Sequence, residues 1–311
     1  MKQARDLPLS KSSLSKTTFN TNLNPRRQLT QTEIKHFNDE GYVIVRQLFP
    51  SSLMDMMRTC VTEDPAVASN VLNRKDLNGL TTKLTLWNYF GDDSFGLIGR
   101  SASMVQMAAD LMGKSEPFPS HTKILLKEPK TGGAWEWHQD FGYWYNQGLT
   151  QPDKIVSAIV AIDENNEQNG AMRLLTKSHR LGKLDHGSYA GQMGADPLRV
   201  VQASEIAGYD VIDLLLEPGD VAFTHSNLLH SSRPNLSTSW RRNFIIAYNS
   251  KGNEPLESGG TWKGAQPDYT KIKVVSDDEI INKGCVFLDQ SRDDFMAQRE
   301  KEQQKEQQKE L

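Results

Sequence analysis

The sequence predicts a mainly β fold, a sandwich or jelly roll with helices flanking it. Two observations carry this. From about Lys123 onward, short apolar runs recur between Gly-, Pro- and Asn-containing turns, and short strands spaced in this way build facing sheets around a pocket. Before Lys123 the apolar residues recur mainly at helical spacing.

Thr30-Gln31-Thr32-Glu33 reads as a helix start, with Thr30 as cap and Glu33 in the capping-box position, and Gly41 marks its end. Tyr42-Val43-Ile44-Val45 is a short strand, and Pro50-Ser51-Ser52 opens a second helix carrying Leu53, Met56, Met57 and Cys60 on one side. Residues 65–93 give mixed signals, with Leu84-Thr85-Leu86-Trp87-Asn88-Tyr89 the one convincing apolar piece. Met104, Val105, Ala108 and Leu111 predict a further helix over 101–112. The candidate strands are then 124–126, 135–138, 155–162, 171–175, 211–216, 220–224 and 244–248, punctuated by Asn169-Gly170, Pro218-Gly219 and Arg233-Pro234-Asn235. Beyond Asn253 the pattern is lost, and 298–311 is polar on every face.

These elements fit one domain over 30–292, between a Ser-, Thr- and Asn-rich N-terminal tail (1–29) and a charged polar C-terminal tail (293–311). The 311 residues hold 36 Lys plus Arg against 39 Asp plus Glu, a net charge of −3, which offers no general attraction for nucleic acid or an anionic membrane. No apolar run is long enough for a transmembrane helix. Cys60 and Cys285 are the only cysteines and suggest neither a disulfide framework nor a Cys-x-x-Cys site. The expectation is an intracellular, cytoplasmic protein, an organelle transit peptide being the alternative use of 1–29.

The chemistry concentrates in Ala134-Trp135-Glu136-Trp137-His138-Gln139-Asp140. On an extended strand, His138 and Asp140 project from the same face. Such a pair is more often a simple hydrogen-bonded one. The segment Phe223-Thr224-His225-Ser226-Asn227-Leu228-Leu229-His230 adds a second histidine, and two histidines with one carboxylate form the facial triad of non-haem Fe(II) oxygenases, which leaves the opposite face of the metal open.

Taken together, Trp135-Glu136-Trp137-His138-Gln139-Asp140-Phe141-Gly142-Tyr143-Trp144, Asn169-Gly170-Ala171-Met172-Arg173-Leu174-Leu175 leading to Ser178-His179-Arg180, Pro218-Gly219-Asp220, and Leu229-His230-Ser231-Ser232 through Arg241 to Tyr248-Asn249 resemble the phytanoyl-CoA dioxygenase family, which includes the ectoine hydroxylases. The resemblance spans residues 30–255. It implies a double-stranded β-helix (jelly roll, cupin-like), with Fe(II) as metal and 2-oxoglutarate and O2 as cosubstrates. His138, Asp140 and His230 match the iron ligands. His230 is preferred to His225 because a small-residue stretch follows it and Arg241 stands eleven positions on.

Arg241 is expected to pair with the remote carboxylate of 2-oxoglutarate, since a guanidinium binds a carboxylate through two parallel hydrogen bonds. Arg242 is its rival, because strand alternation lets only one of them face the pocket. Lys123, Trp144, Ser157 and Ser232 are implied as further cosubstrate contacts, and His121 and Tyr143 as substrate contacts. His179 reads as structural. The carboxylate of Asp140 argues against halogenation, for which the related enzymes carry a small residue at that position.

The resemblance therefore implies a dioxygenase that takes hydrogen from an unactivated carbon of a small metabolite. It would usually hydroxylate, with ring closure or desaturation as alternatives, releasing succinate and CO2. A non-catalytic jelly roll that binds a small molecule or another protein, with a vestigial or zinc-filled site, is the competing reading. The expected partner is a small-molecule substrate, with no nucleic acid or membrane, and the chain is expected as a monomer or homodimer. Apart from Lys177, Arg180 and Lys183, no dense basic cluster borders the site, which favours a small polar metabolite over an acyl-CoA. The helices before Lys123, the loop 143–145 and the loop 183–196 are expected to line the pocket mouth.

Overall fold

The computed structural model describes residues 27–189, 192–256, 271–291 and 295–298. Most of the two expected tails lies outside the described residues. Their inner ends pack inward, however: Leu29, Phe295 and Ala297 are buried, and Met296 reaches the central cavity. Charged neighbours in sequence had masked these few apolar residues.

In chain order the elements are α1 (Gln31–Glu40), β1 (Tyr42–Val45), α2 (Ser51–Glu63), α3 (Pro65–Ser69), β2 (Leu72–Lys75), β3 (Thr81–Trp87), α4 (Ser94–Gly99), α5 (Ala102–Leu111), β4 (Pro117–Lys127), β5 (Trp135–His138) and α6 (Asp140–Tyr145). They continue with β6 (Ile155–Ala161), β7 (Met172–Leu175), β8 (His186–Tyr189), β9 (Gln192–Ala195), α7 (Pro197–Val201), β10 (Val211–Leu214), β11 (Val221–His225), β12 (His230–Ser232), β13 (Arg241–Ser250) and α8 (Glu279–Lys283). Helix α1 starts at the expected capping box: Thr30 accepts from the Glu33 N–H while the Glu33 carboxylate accepts from the Thr30 N–H at 2.8 Å. It ends where Gly41 turns left-handed at φ +87° with no room for a Cβ, which would meet His179 and Leu228.

The strands form a seven-stranded sheet in the order β1-β11-β6-β13-β4-β3-β2, a four-stranded sheet in the order β10-β7-β12-β5, and the hairpin β8-β9, with antiparallel pairing between neighbours. Alternation along the long strands divides the core in two. One set of side chains, including Ile124 and Leu126 of β4, Val156, Ala158 and Val160 of β6, and Phe244 and Ile246 of β13, packs against Met54, Met57 and Cys60 of α2 and Met104, Met107 and Ala108 of α5. The other set, including Leu125, Ile159 and Ile245, meets Met172, Leu174 and Leu214 of the small sheet. The cavity opens on this second, inner face.

Cys60 and Cys285 form a disulfide across 225 residues, attaching the C-terminal segment to α2. The sequence reading had placed both cysteines outside a disulfide framework. Two cysteines so far apart in sequence carry no signal of spatial proximity, and their count therefore gives no argument for a reducing compartment. Among the described residues no helix is long and apolar enough to cross a membrane.

Candidate active site

His138 and His230 stand directly opposite each other on the β5–β12 pair, with ring centroids 4.1 Å apart. Nδ1 of His138 lies 2.8 Å from the Glu136 carbonyl oxygen, and Nδ1 of His230 lies 2.9 Å from that of Leu228. A carbonyl oxygen only accepts, so the hydrogen-bond network assigns the proton to Nδ1 and leaves a lone pair on each Nε2. Both Nε2 atoms are 3.9 Å from Asp140 Oδ1, and the three potential ligand atoms lie within 4.8 Å of one another.

Asp140 reaches this point differently from the expected strand geometry. β5 ends at His138, and Asp140 is the first residue of α6. Gln139 between them is still extended (φ −109°, ψ 133°), so the carboxylate returns to the His138 side. Its second oxygen, Oδ2, accepts from Ser157 Oγ at 2.7 Å, which orients the carboxylate and leaves Oδ1 toward the imidazoles.

Electrostatics favour the metal-binding protonation states. Burial lowers His138 well below the ordinary imidazole range, and the neighbouring His230 adds to this; burial also lowers His230. Burial alone would raise Asp140, but Lys123 and the two imidazoles outweigh it and hold the carboxyl well below the usual carboxylate range. At neutral pH the triad thus offers two neutral imidazoles and one carboxylate. A divalent, oxygen- and nitrogen-preferring metal fits that donor set.

Beside the triad is a cavity of about 240 Å³. Its lining includes Arg241, Lys123, Trp144, Ser232, His121 and Tyr143, all expected near the site from the sequence. Ser157 is absent from that wall. It sits on β6, whose residues are all buried, with its hydroxyl committed to Asp140. The choice between Arg241 and Arg242 follows strand phase: Arg241 is fully buried, whereas Arg242 turns to Asp163 (Nε–Oδ2 2.7 Å). Arg241 Nη2 donates to the Gly170 carbonyl at 2.9 Å, and its Nε has no partner, nor does Ser231 Oγ. Buried polar atoms without partners fit an arriving anion. His225, the other candidate histidine, instead meets Asp153 (Nε2–Oδ1 2.9 Å), away from the triad.

His121 is lowered to about 3 by burial and by Lys123, so it is a neutral wall residue. Tyr143 donates to the Met193 carbonyl at 2.7 Å and meets the His138 ring edge-on at 5.6 Å.

Residues 23–243 match the phytanoyl-CoA dioxygenase (PhyH) family. The chain belongs to that family. Among curated proteins it is 28% identical to L-proline trans-4-hydroxylase of Streptomyces griseoviridis over 53% of this chain and 66% of that protein. It is 26% identical to a probable alpha-ketoglutarate-dependent hypophosphite dioxygenase of Stutzerimonas stutzeri, over 77% and 84% of the two chains. Among solved structures, EctD from S. alaskensis, determined with 2-oxoglutarate and 5-hydroxyectoine, superposes with a TM-score of 0.67 at 18% identity, covering 82% of this chain and 91% of that one. This likeness shows the fold to be the jelly roll expected from the sequence.

Sequence reasoning missed part of the cavity wall. Among the described residues, the helices before Lys123 and the 183–196 loop give the cavity no lining; β2 and β3 also line it, through Leu72, Arg74, Leu84 and Leu86, together with Pro255 and Met296. β2 reads Leu-Asn-Arg-Lys, too polar and short to register as a strand. The 183–196 segment acts from behind: its β8-β9 hairpin supplies the Met193 carbonyl to Tyr143. Tyr145 is about half exposed and lies outside the cavity.

Proposed function

We propose that this chain is an Fe(II)- and 2-oxoglutarate-dependent dioxygenase that hydroxylates an unactivated carbon of a small metabolite. The observation that carries this reading is the presence, in one cavity, of the His138, Asp140 and His230 donors and of a fully buried guanidinium with an unpartnered Nε. The relatives' names support it, since they include alpha-ketoglutarate-dependent and hydroxylase enzymes, and so does an EctD structure with bound Fe.

When bound, Fe(II) with 2-oxoglutarate and O2 supplies an oxidant able to remove hydrogen from an unactivated C–H bond, with succinate and CO2 as by-products. The chain's residues do the rest. His138, Asp140 and His230 would hold the metal through two imidazole nitrogens and one carboxylate oxygen beside the cavity. Ser157 fixes the carboxylate ligand, and the Glu136 and Leu228 carbonyls fix the imidazole tautomers. Arg241 pairs with the remote carboxylate of 2-oxoglutarate, and Ser232 stands beside it. Trp144, Leu72, Leu84 and Met296 exclude water around the reacting carbon.

The cavity also limits the substrate. Pockets for drug-sized ligands run roughly 300–1,000 Å³, whereas this one is about 240 Å³ and is shared with the cosubstrate. A compact metabolite fits within it, whereas most of an acyl-CoA would have to extend beyond it. Purified protein under air should convert 2-oxoglutarate to succinate in proportion to added Fe(II), and Arg241→Ala should lose most of that turnover. Equal turnover in the variant would remove Arg241 from the cosubstrate site.

A further inference from the structure

One wall of the cavity comes from a late part of the chain. Met296 lines it, far beyond β13 in sequence, and the segment that precedes it is fixed to the helical layer by the Cys60–Cys285 disulfide. Just past Cys285, the Val286 N–H donates to Ser94 Oγ at 2.8 Å, and the Val286 carbonyl accepts from the Ser94 N–H at 2.9 Å. The Leu288 N–H donates to Asp64 Oδ2 at 2.8 Å, and the Leu288 side chain is buried among the helices. The segment is a strap.

It then changes faces. Phe295 belongs to the core beneath the helices, its ring 6.1 Å from that of Trp87, whereas Met296 and Ala297 pack with Leu72 and Leu84 on the inner face. The place of this crossing has a structural reason. β2 is short and pairs with β3 only over Thr81 to Leu84, so among the described residues no strand covers Thr85, Leu86 and Trp87 on that side. Leu86 lines the cavity and Trp87 faces the helices, and the strap supplies a side chain to each of those two cores.

Before Cys285 the chain has a separate anchor. The Asp277 carboxylate accepts from the Ser103 N–H at 2.8 Å and from the Ser103 hydroxyl at 2.5 Å. Freeing Cys285 therefore loosens the residues after α8 and leaves those before it in place. The two cysteines are also unequally placed: Cys60 is fully buried, its Sγ 3.7 Å from Ser94 Oγ, while Cys285 is exposed.

We propose that the Cys60–Cys285 disulfide is a redox latch on this wall: oxidised, it holds the strap that carries Met296 against the cavity, and reduced by an external dithiol it lets the strap loosen and the cavity open along β3. The thiolate of the dithiol attacks the accessible Cys285 Sγ, the S–S bond breaks, and the electron pair leaves on Cys60 Sγ, which takes a proton. The second sulfur of the dithiol then displaces Cys285, so that both cysteines end as thiols and the dithiol as a disulfide. Without the crosslink, the contacts at Ser94 and Asp64 lose the effective concentration that a fixed neighbouring residue gives them. The latch acts on the cavity whichever cosubstrate occupies it.

Hydrogen exchange read by mass spectrometry tests this, on purified full-length protein before and after dithiothreitol, with alkylation of the thiols reporting the state of the bond. Reduction should speed exchange at least tenfold in residues 285–291, 295–298 and 85–87, and less than twofold in β5 and β12. Reoxidation with oxidised glutathione should restore the slow rates. Cys285→Ser should match the reduced protein without reductant and should not respond to dithiothreitol. Four results overturn the proposal: cysteines that stay as thiols in oxidised glutathione, a bond that resists dithiothreitol in the folded protein, unchanged exchange after reduction, or an equal rise in β5 and β12, which would make the disulfide a general stabiliser. If Cys285→Ser does not fold, reduction of the wild type decides alone.

Discussion

The two faces of the large sheet are made from alternate residues of the same strands, yet they differ in almost every physical respect. Facing the helices, Phe244 stacks on Trp87 at 6.1 Å and packs against Phe95 at 5.2 Å, with Ile124, Val160 and Ile246 around them. On the inner face the same strands present Lys127, Ser157 and Arg241, all buried and all polar. Buried polar groups are costly unless paired, and several here are paired only in part. The comparison teaches that the outer face supplies the stability that lets the inner face carry a cluster of buried polar groups paired only in part.

Substitutions on each face test that division. The largest effect is expected from Asp140→Ala, which removes the only carboxylate of the triad. Iron-dependent succinate formation should fall by more than about a thousandfold, on the order of 4 kcal/mol in transition-state terms, while thermal unfolding monitored by circular dichroism stays cooperative. Phe244→Ala should do the reverse. It should cost about 3–5 kcal/mol of unfolding free energy in a urea titration, with 2-oxoglutarate affinity retained where the variant is folded.

A smaller effect follows from the imidazoles. Burial lowers His121, His138, His179, His186 and His230 below the ordinary value of 6.5. Below that pH the unfolded chain takes up protons that the folded chain refuses, so metal-free protein should lose stability as pH falls from 7 toward 5, and its urea midpoint should drop steadily. A flat midpoint over that range would mean these rings titrate normally. The smallest effect is Ser157→Ala, which leaves the ligands in place but frees Asp140 to rotate. Fe(II) affinity should weaken about tenfold, measured by competition with a chromogenic chelator.

Much of the β-rich fold and the triad was legible in the sequence because both rest on local signals. The capping box at Thr30, the apolar runs of β6 and β13, and the two-residue spacing of His138 and Asp140 each express their structural role within a few residues. The third potential donor, His230, was legible only through its family context, since β12 is the three polar residues His-Ser-Ser. What could not be read depends on distant partners. Leu72 and Arg74 line the cavity because β2 pairs with β3 at the edge of the sheet. Lys127 looks like a surface lysine in Leu-Leu-Lys-Glu-Pro until β13 sets Arg241 opposite it. Ser157, which the family resemblance implied as a cosubstrate contact, hydrogen-bonds Asp140, a partner that the apolar run of β6 does not announce.

The most direct test of the central claim is anaerobic absorption spectroscopy of the purified protein with Fe(II) and 2-oxoglutarate. Chelation of the metal by the oxo acid should give a visible metal-to-ligand charge-transfer band in the wild type. The band should be absent in His138→Ala and Asp140→Ala, and should need far more 2-oxoglutarate to develop in Arg241→Ala. A wild-type protein that shows no such band, or an Asp140→Ala protein that shows it undiminished, would contradict the assignment of the inner face as an Fe(II) and 2-oxoglutarate site.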